Sequence, residues 1–423
     1  MALSSQAANR RTGPRRGSDR SRAVRRRRTV AGAVIVALVI VAIVLASSGG
    51  KTGSPPLGGP GPASVLGANA PAHVGSLIAH AAPFKPAAAA VAAAARLPLS
   101  GQISQLFLIG LQGTSSSSPD IAAFGGTDWG GAVLSRSNFV SDSQIASLAG
   151  DVAALAKSAG NLPPLIAAPQ EGGAETAFPD LPPEAEPTIG ATGNPAVARA
   201  QAQLAGKRLL ALGVNMTFAP LADVDVLGGA LSGRLFSSDP GAVARFASAA
   251  VSGYDAAGII SAASHFPGAG AASADPDEMT ATVGGALTTL ERRDLVPFGA
   301  LAASAPVIMM SNAAYAAFDG VTPAGLLPQA VRLLRDQLGF GGVVMTDDLD
   351  AALLSTGGSA GQAAVCALQA GDDLLYITGS PAEQTSAYRA VLSAAQRGQI
   401  SRERIQDALL RVLTLKAHYG LLG

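Results

Sequence analysis

Between residues 99 and 423 the sequence repeats one pattern: a short unbroken apolar run, then a longer amphipathic, alanine-rich segment. Eight such runs stand out: QLFLIG from Gln105, GAVLS from Gly131, PLIAAPQ from Pro164, VNMTFAP from Val214, GIISAASHF from Gly258, PVIMMSN from Pro306, GVVMTDD from Gly342 and DLLYITG from Asp373. Each is continuous rather than alternating, as a strand covered on both faces requires. The spacing of roughly 25 to 50 residues leaves room for a crossover helix, which parallel neighbours demand. Residues 195–212, 239–257, 328–338 and 401–418 carry the clearest helical patterns. Eight strand–helix units in one stretch predict a (β/α)8 TIM barrel as a single catalytic-type domain. An open doubly wound sheet is the alternative, but no glycine-rich phosphate fingerprint follows the first run.

In such barrels the polar residues at the carboxyl ends of the strands face the active site, whereas the strands supply packing. Those ends carry Gln170 and Glu171, Asp223 and Asp225, Ser264 and His265, Ser311 and Asn312, and Asp347 and Asp348. The fifth run is followed by a flexible PGAGA and then by the polar stretch SADPDEM from Ser273, the composition expected of a mobile catalytic loop.

The charge of the whole chain is +1, which hides two unlike parts. Residues 1–28 hold ten arginines and one acid, Asp19, so this tail carries +9 and the rest −8. Next comes VAGAVIVALVIVAIVLA from Val30, with no charged side chain. With its flanks (29–48) it is about 20 residues, or roughly 30 Å of helix, enough to cross a bilayer core. The arginines should stay cytoplasmic, which makes 1–28 a basic cytoplasmic tail, 29–48 a single-pass transmembrane signal anchor and the remainder exported from a bacterial cell membrane. A cleaved signal peptide is the other reading of the same run. Residues 49–98, rich in Gly, Pro and Ala, read as a linker, with a possible helix in AAAAVAAAA from Ala87. Arginines pressed against a membrane span are a topology signal, so no nucleic-acid partner is expected. The sole cysteine, Cys366, cannot form an internal disulfide, and its apolar neighbours predict a buried thiol. With His265 and His418 the only histidines beyond residue 99, no metal site is expected.

The motifs LSGQISQLFLIG, PQEGG, GVNMTFAPLADVDV, GRLFSSDP, SHFPGAG, LLRDQLGFGGVVMTDDLDAALL and AGDDLLYI, in this order, resemble glycoside hydrolase family 3, specifically its single-domain bacterial β-N-acetylglucosaminidase (β-N-acetylhexosaminidase) branch. The resemblance implies a retaining hydrolase for terminal β-linked N-acetylglucosamine or a related sugar of cell-wall glycans or muropeptides, without cofactor and as a monomer. It assigns Asp347 as nucleophile, the ionised carboxylate that forms a glycosyl intermediate. The alternative for the Asp347–Asp348 pair is capping of the following helix, a duty better suited to Asp348. Arg234 and His265 match sugar-contacting residues, and Glu171 a recurrent acid that could equally stabilise a turn.

Three positions depart from the family pattern. Pro169 stands where an Asp is usual, Ser264 where a Lys precedes the histidine, and Asp275-Pro276-Asp277 where this branch has Asp-Ser-His. Asp277 then becomes the candidate acid/base, with Asp275 a supporting acid and Glu278 a further candidate; a solvated acidic turn is the plain alternative. Ser264 joins Arg234, His265 and Glu171 as a candidate substrate contact. These departures also motivate a reading from another class, a catalytically impaired barrel that binds or senses envelope glycans.

Overall fold

The computed structural model describes residues 84–422; the tail, the apolar run and most of the linker lie outside the described residues. Among the described residues no helix is long and apolar enough to cross a membrane. All eight apolar runs form strands: β1 (Phe107–Gly110), β2 (Gly131–Val133), β3 (Leu165–Ala168), β4 (Met216–Thr217), β5 (Ile260–Phe266), β6 (Val307–Met310), β7 (Val343–Met345) and β8 (Leu375–Ile377). They pair in parallel in the order β7-β6-β5-β4-β3-β2-β1-β8. A parallel bridge between Met345 and Leu374 brings β8 against β7, so the sheet curls into a barrel. Apart from Gly110 and Tyr376, every residue of these strands is buried, the two-sided covering that their unbroken apolar runs predict.

The long helices follow the predicted segments. Pro195–Ala211 and Pro240–Ala257 each start with Pro in the first turn behind an Asn or Asp cap, where a missing amide proton costs nothing. Arg402–His418 begins behind Ser401, whose hydroxyl accepts from the Arg404 amide. Over 328–338 the helix is α-helical only to Arg332 and continues as a π-helical turn, Leu333–Gln337.

The folded body includes residues ahead of Leu99. Ala88–Ala94 is a helix with Ala90 and Ala94 buried. The Ala87 amide donates to Thr414 Oγ1 (3.1 Å), and the Arg411 guanidinium lies 4.3 Å from the Phe84 ring centre. The expectation for Cys366 is corrected: it is exposed. In its helix Ala363, Ala364 and Ala367 turn inward, and residue 366 falls on the outer phase.

At the amino ends of the strands, buried Asp373 accepts from Arg335 and Arg404 and from the Val344 amide (2.9 Å), tying the helical shell to the barrel's base. At the other end, Phe218 after β4 and Tyr376 in β8 reach across from opposite sides of the ring and meet edge to face at 5.1 Å. Their contact closes the barrel's interior and makes the floor of its mouth.

Candidate functional site

Asp347 stands two residues beyond the end of β7, buried with only 4% of its surface exposed. Its Oδ1 accepts from the Asp348 amide (2.8 Å), and its Oδ2 has no hydrogen-bond partner. Burial raises the Asp347 pKa well above the ordinary carboxylate value, the Asp277 charge adds to the rise, and His265 opposes it. Asp348 has a different task. Its Oδ1 accepts from the Asp350 amide (3.1 Å) in the first turn of the helix Leu349–Thr356 and from the Thr378 amide (3.0 Å), and its Oδ2 accepts from the Thr378 hydroxyl. The cap expected of Asp348 is present, and the same side chain ties β7 to β8.

His265 is the penultimate residue of β5 and is 6% exposed. Its Nδ1 lies 2.8 Å from Asp223 Oδ2, which also accepts from the His265 amide (3.2 Å). Burial alone would lower the imidazole pKa; Asp223, by charge and hydrogen bond, with Asp347 and Asp277, outweighs it and pushes the pKa up to about 10. At neutral pH His265 is therefore a buried cation between two carboxyl groups. Asp223 was visible in the sequence only as one polar strand-end residue among several. Its partner is 42 residues away, so no local spacing could have paired them.

Arg234 is held on two sides. Nη2 donates to both oxygens of Glu171 (2.8 and 3.1 Å), and Nη1 donates to Asp275 Oδ2 (3.0 Å). Burial alone would lower its pKa, but the carboxylates of Glu171, Asp275 and Glu175 outweigh it and raise the value. Glu171 rides on a tight hairpin, Gln170–Gly172 against Glu175–Thr176, anchored where Gln170 Oε1 accepts from the Phe178 amide (3.0 Å). Gly172 is required there: its φ is +120°, and a Cβ would meet the Glu184 carbonyl oxygen at 2.4 Å. Pro169 contributes only a carbonyl, already accepting from the Ala177 amide (2.8 Å).

The segment after β5 is less free than its glycines suggest. The Ala269 amide donates to Asp223 Oδ1 (2.6 Å), and the Tyr315 hydroxyl to the Gly268 carbonyl (3.1 Å). A Cβ on Gly270 would fall 1.8 Å from the Val224 carbonyl oxygen. PGAGA, flexible by composition, is thus a pinned close approach. Beyond it, Asp275 Oδ1 accepts from the Asp277 amide (3.1 Å) while its Oδ2 accepts from Arg234. Pro276 is buried, whereas Asp277 and Glu278 are exposed. The Asp277 charge acts on Asp347, Asp348, Glu171, His265 and Tyr376 together, so its turn lies beside the mouth.

Ser264 is buried, with its backbone paired to the segment after β4: its amide donates to the Pro220 carbonyl (3.2 Å) and its carbonyl accepts from the Ala222 amide (2.6 Å). Glu186, which the sequence reading did not single out, supports the same segment by accepting from the Leu221 amide (2.8 Å). Its other oxygen is unpaired, and burial raises its pKa well above normal. Among the described residues no group of His, Cys, Asp and Glu is arranged to hold a metal ion.

The mouth thus gathers an unpaired buried carboxyl oxygen, a second carboxyl nearby, an imidazolium and a guanidinium. That set can support a two-carboxyl displacement with charge stabilisation nearby. Residues 102–415 match the Glycosyl hydrolase family 3 N terminal domain. A curated β-hexosaminidase of Xanthomonas campestris pv. campestris is 35% identical over 343 residues, covering 75% of this chain and all of that one. The chain is similar in structure to a glycoside hydrolase family 3 β-N-acetylglucosaminidase from a Paenibacillus species (TM-score 0.73, 32% identity), covering 77% of this chain and 63%, under two thirds, of that one. It is also similar to a β-N-acetylhexosaminidase from Beutenbergia cavernae (TM-score 0.69, 30% identity), covering 76% of this chain and 99% of that one.

Proposed function

Since the chain belongs to glycoside hydrolase family 3 and is a glycosyl hydrolase of the β-N-acetylhexosaminidase type, we propose that it removes terminal β-linked N-acetylglucosamine, or a closely related sugar, with retention at the anomeric carbon. Asp347 attacks that carbon and forms the glycosyl intermediate, and Asp277 protonates the departing oxygen and later deprotonates water. The observation that carries this reading is the free Oδ2 of Asp347, buried in the mouth and opposed by the Asp277 charge. The two carboxyl groups supply the pair that such a displacement needs, one to attack and one to donate. His265, kept cationic by Asp223, holds Asp347 toward its ionised form and offers its remaining N–H to a sugar hydroxyl. Arg234, with Ser264 and Glu171 beside the site, positions the ring. Asp275 holds the Asp277 turn against Arg234.

The substrate is proposed to belong to the bacterial envelope, with the barrel exported and tethered by the apolar segment. The +9 tail next to that uncharged run supports this placement.

The test is hydrolysis of aryl β-N-acetylglucosaminides by the wild type and Asp347→Asn. The proposal expects a loss of several thousandfold in the variant; an unchanged rate removes Asp347 from the mechanism. Binding of the sugar with no turnover by the wild type would instead favour a glycan-binding barrel.

A further inference from the structure

Glu186 is 4% exposed and has no part in the chemistry above. It opens the short helix Glu186–Ala191 and shares the lining of a cavity of about 70 Å³ with Glu171 and Arg234. The helix is seated from two directions. A Cβ on Gly190 would fall 1.9 Å from the Phe236 carbonyl oxygen, so the helix is pressed against the segment that carries Arg234. Ahead of it, Gln170 Nε2 donates to the carbonyls of Phe178 (3.1 Å) and Leu181 (3.3 Å), which holds the chain leading in. The Glu186 carboxyl is therefore presented from a fixed base. One oxygen accepts from the Leu221 amide (2.8 Å) and the other has no partner. A buried carboxyl with a bare oxygen costs free energy, and such costs are expected where function needs what the group holds.

What Glu186 holds is the chain between β4 and Asp223. Leu221 forms a parallel bridge with Ser264, and both backbone hydrogen bonds of that bridge are made by its neighbours: Pro220 accepts from Ser264 (3.2 Å) and Ala222 donates to it (2.6 Å). The Leu221 amide is left over, and Glu186 takes it. Two residues on, Asp223 meets three groups from the end of β5 and beyond: the His265 amide (3.2 Å), His265 Nδ1 (2.8 Å) and the Ala269 amide (2.6 Å). One carboxylate keeps three such partners only if its own backbone is fixed. Besides Asp223, the charges acting on His265 are those of Asp347 and Asp277, and Glu171 also feels the imidazole.

We infer that Glu186 is a positioning residue: by fixing Leu221 it sets Asp223 on His265 and so keeps the imidazolium beside Asp347. It touches no reacting atom. The task needs an acceptor rather than a charge, so an amide of the same length should perform it. The inference rests on the hydrolase reading for its effect on rate, but its effect on His265 is read without turnover.

The experiment compares the full-length wild type with Glu186→Gln and Glu186→Ala, by NMR titration of the histidines and by hydrolysis of an aryl β-N-acetylglucosaminide. In Glu186→Ala the buried Leu221 amide loses its acceptor and the segment 220–223 relaxes. His265 should then titrate about one pH unit or more below its wild-type value. A misplacement of about 1 Å can cost about 100-fold in rate, so kcat should fall by about tenfold or more, with KM changed by less than about threefold. Glu186→Gln should restore both to within about twofold of wild type in rate and a few tenths of a unit in titration. Glu186→Leu, close in volume, takes the place of the alanine variant should that one fail to fold. A His265 titration unchanged in the folded apolar variant, even with a lowered melting temperature, would reduce Glu186 to a structural residue and overturn the inference. So would a glutamine variant as impaired as the apolar one. Absence of turnover in the wild type, with the His265 shift present in the variant, would instead remove the hydrolase mechanism and leave the hold on His265 standing.

Discussion

Asp347 has one oxygen held by a backbone amide and another held by nothing, and both are shielded from bulk water. A carboxyl group there prefers its proton unless a cation stands near, and His265 supplies that cation. Activity needs Asp347 ionised, so the acid limb of kcat/KM should lie above the ordinary carboxylate range. Asp277 raises the Asp347 pKa, so Asp277→Asn should move that limb to lower pH while reducing the rate. The reduction should be about 10²- to 10⁴-fold for sugar leaving groups and much smaller for activated aryl ones, which depart with little protonation. A leaving-group series across pH reads both effects. The Asp223–His265 pair has its own consequence. A histidine raised to about 10 in the fold contributes stability that is fully present below its ordinary value and is lost as pH rises through about 10. In Asp223→Asn the imidazole pKa should fall, visible by NMR titration, and the stability advantage of pH 6 over pH 10 should shrink.

At the scale of elements, the strands were legible because a doubly covered strand needs an unbroken apolar run, and each such run became one. The site was legible only in part. Asp347, Arg234, His265 and Asp277 stand where their motifs put them, at the mouth, but what each touches depends on partners far away in sequence. Nothing local shows that Arg234 is shared between Glu171 and Asp275, or that Asp223 holds His265. The glycines of PGAGA suggest flexibility, whereas Gly270 is a close approach to the Val224 carbonyl. Gly270→Ala should therefore cost about 1–3 kcal/mol in denaturant unfolding, the range for overpacking, and should lower kcat by displacing the Asp277 turn. Cys366 was misread because sequence neighbours are not helix-face neighbours: each step along a helix turns about 100°, and its apolar neighbours face inward while it does not.

On the scale of the molecule, stability and chemistry occupy opposite ends of the barrel. The base is tied by Asp373 with Arg335 and Arg404, and AGDDLLYI supplies that acid. Asp373→Ala would remove the acceptor that two arginines and a backbone amide share, with an expected loss of about 3–5 kcal/mol in unfolding free energy. The folded body also reaches back before residue 99, through Ala88–Ala94 and Phe84, to a cavity of about 550 Å³ at the amino ends of β6 and β7, the end of the barrel opposite Asp347. A chain beginning at Leu99 should therefore melt below one beginning at Phe84, which differential scanning calorimetry would show. The account of the whole enzyme depends on a covalent intermediate at Asp347. A 5-fluoro glycosyl fluoride of N-acetylglucosamine, which forms that intermediate faster than water releases it, tests this most directly by peptide mass spectrometry. One glycosyl label is expected on the peptide containing Asp347, absent in Asp347→Asn; a label on any other residue, or labelling that survives the substitution, would contradict a nucleophilic Asp347.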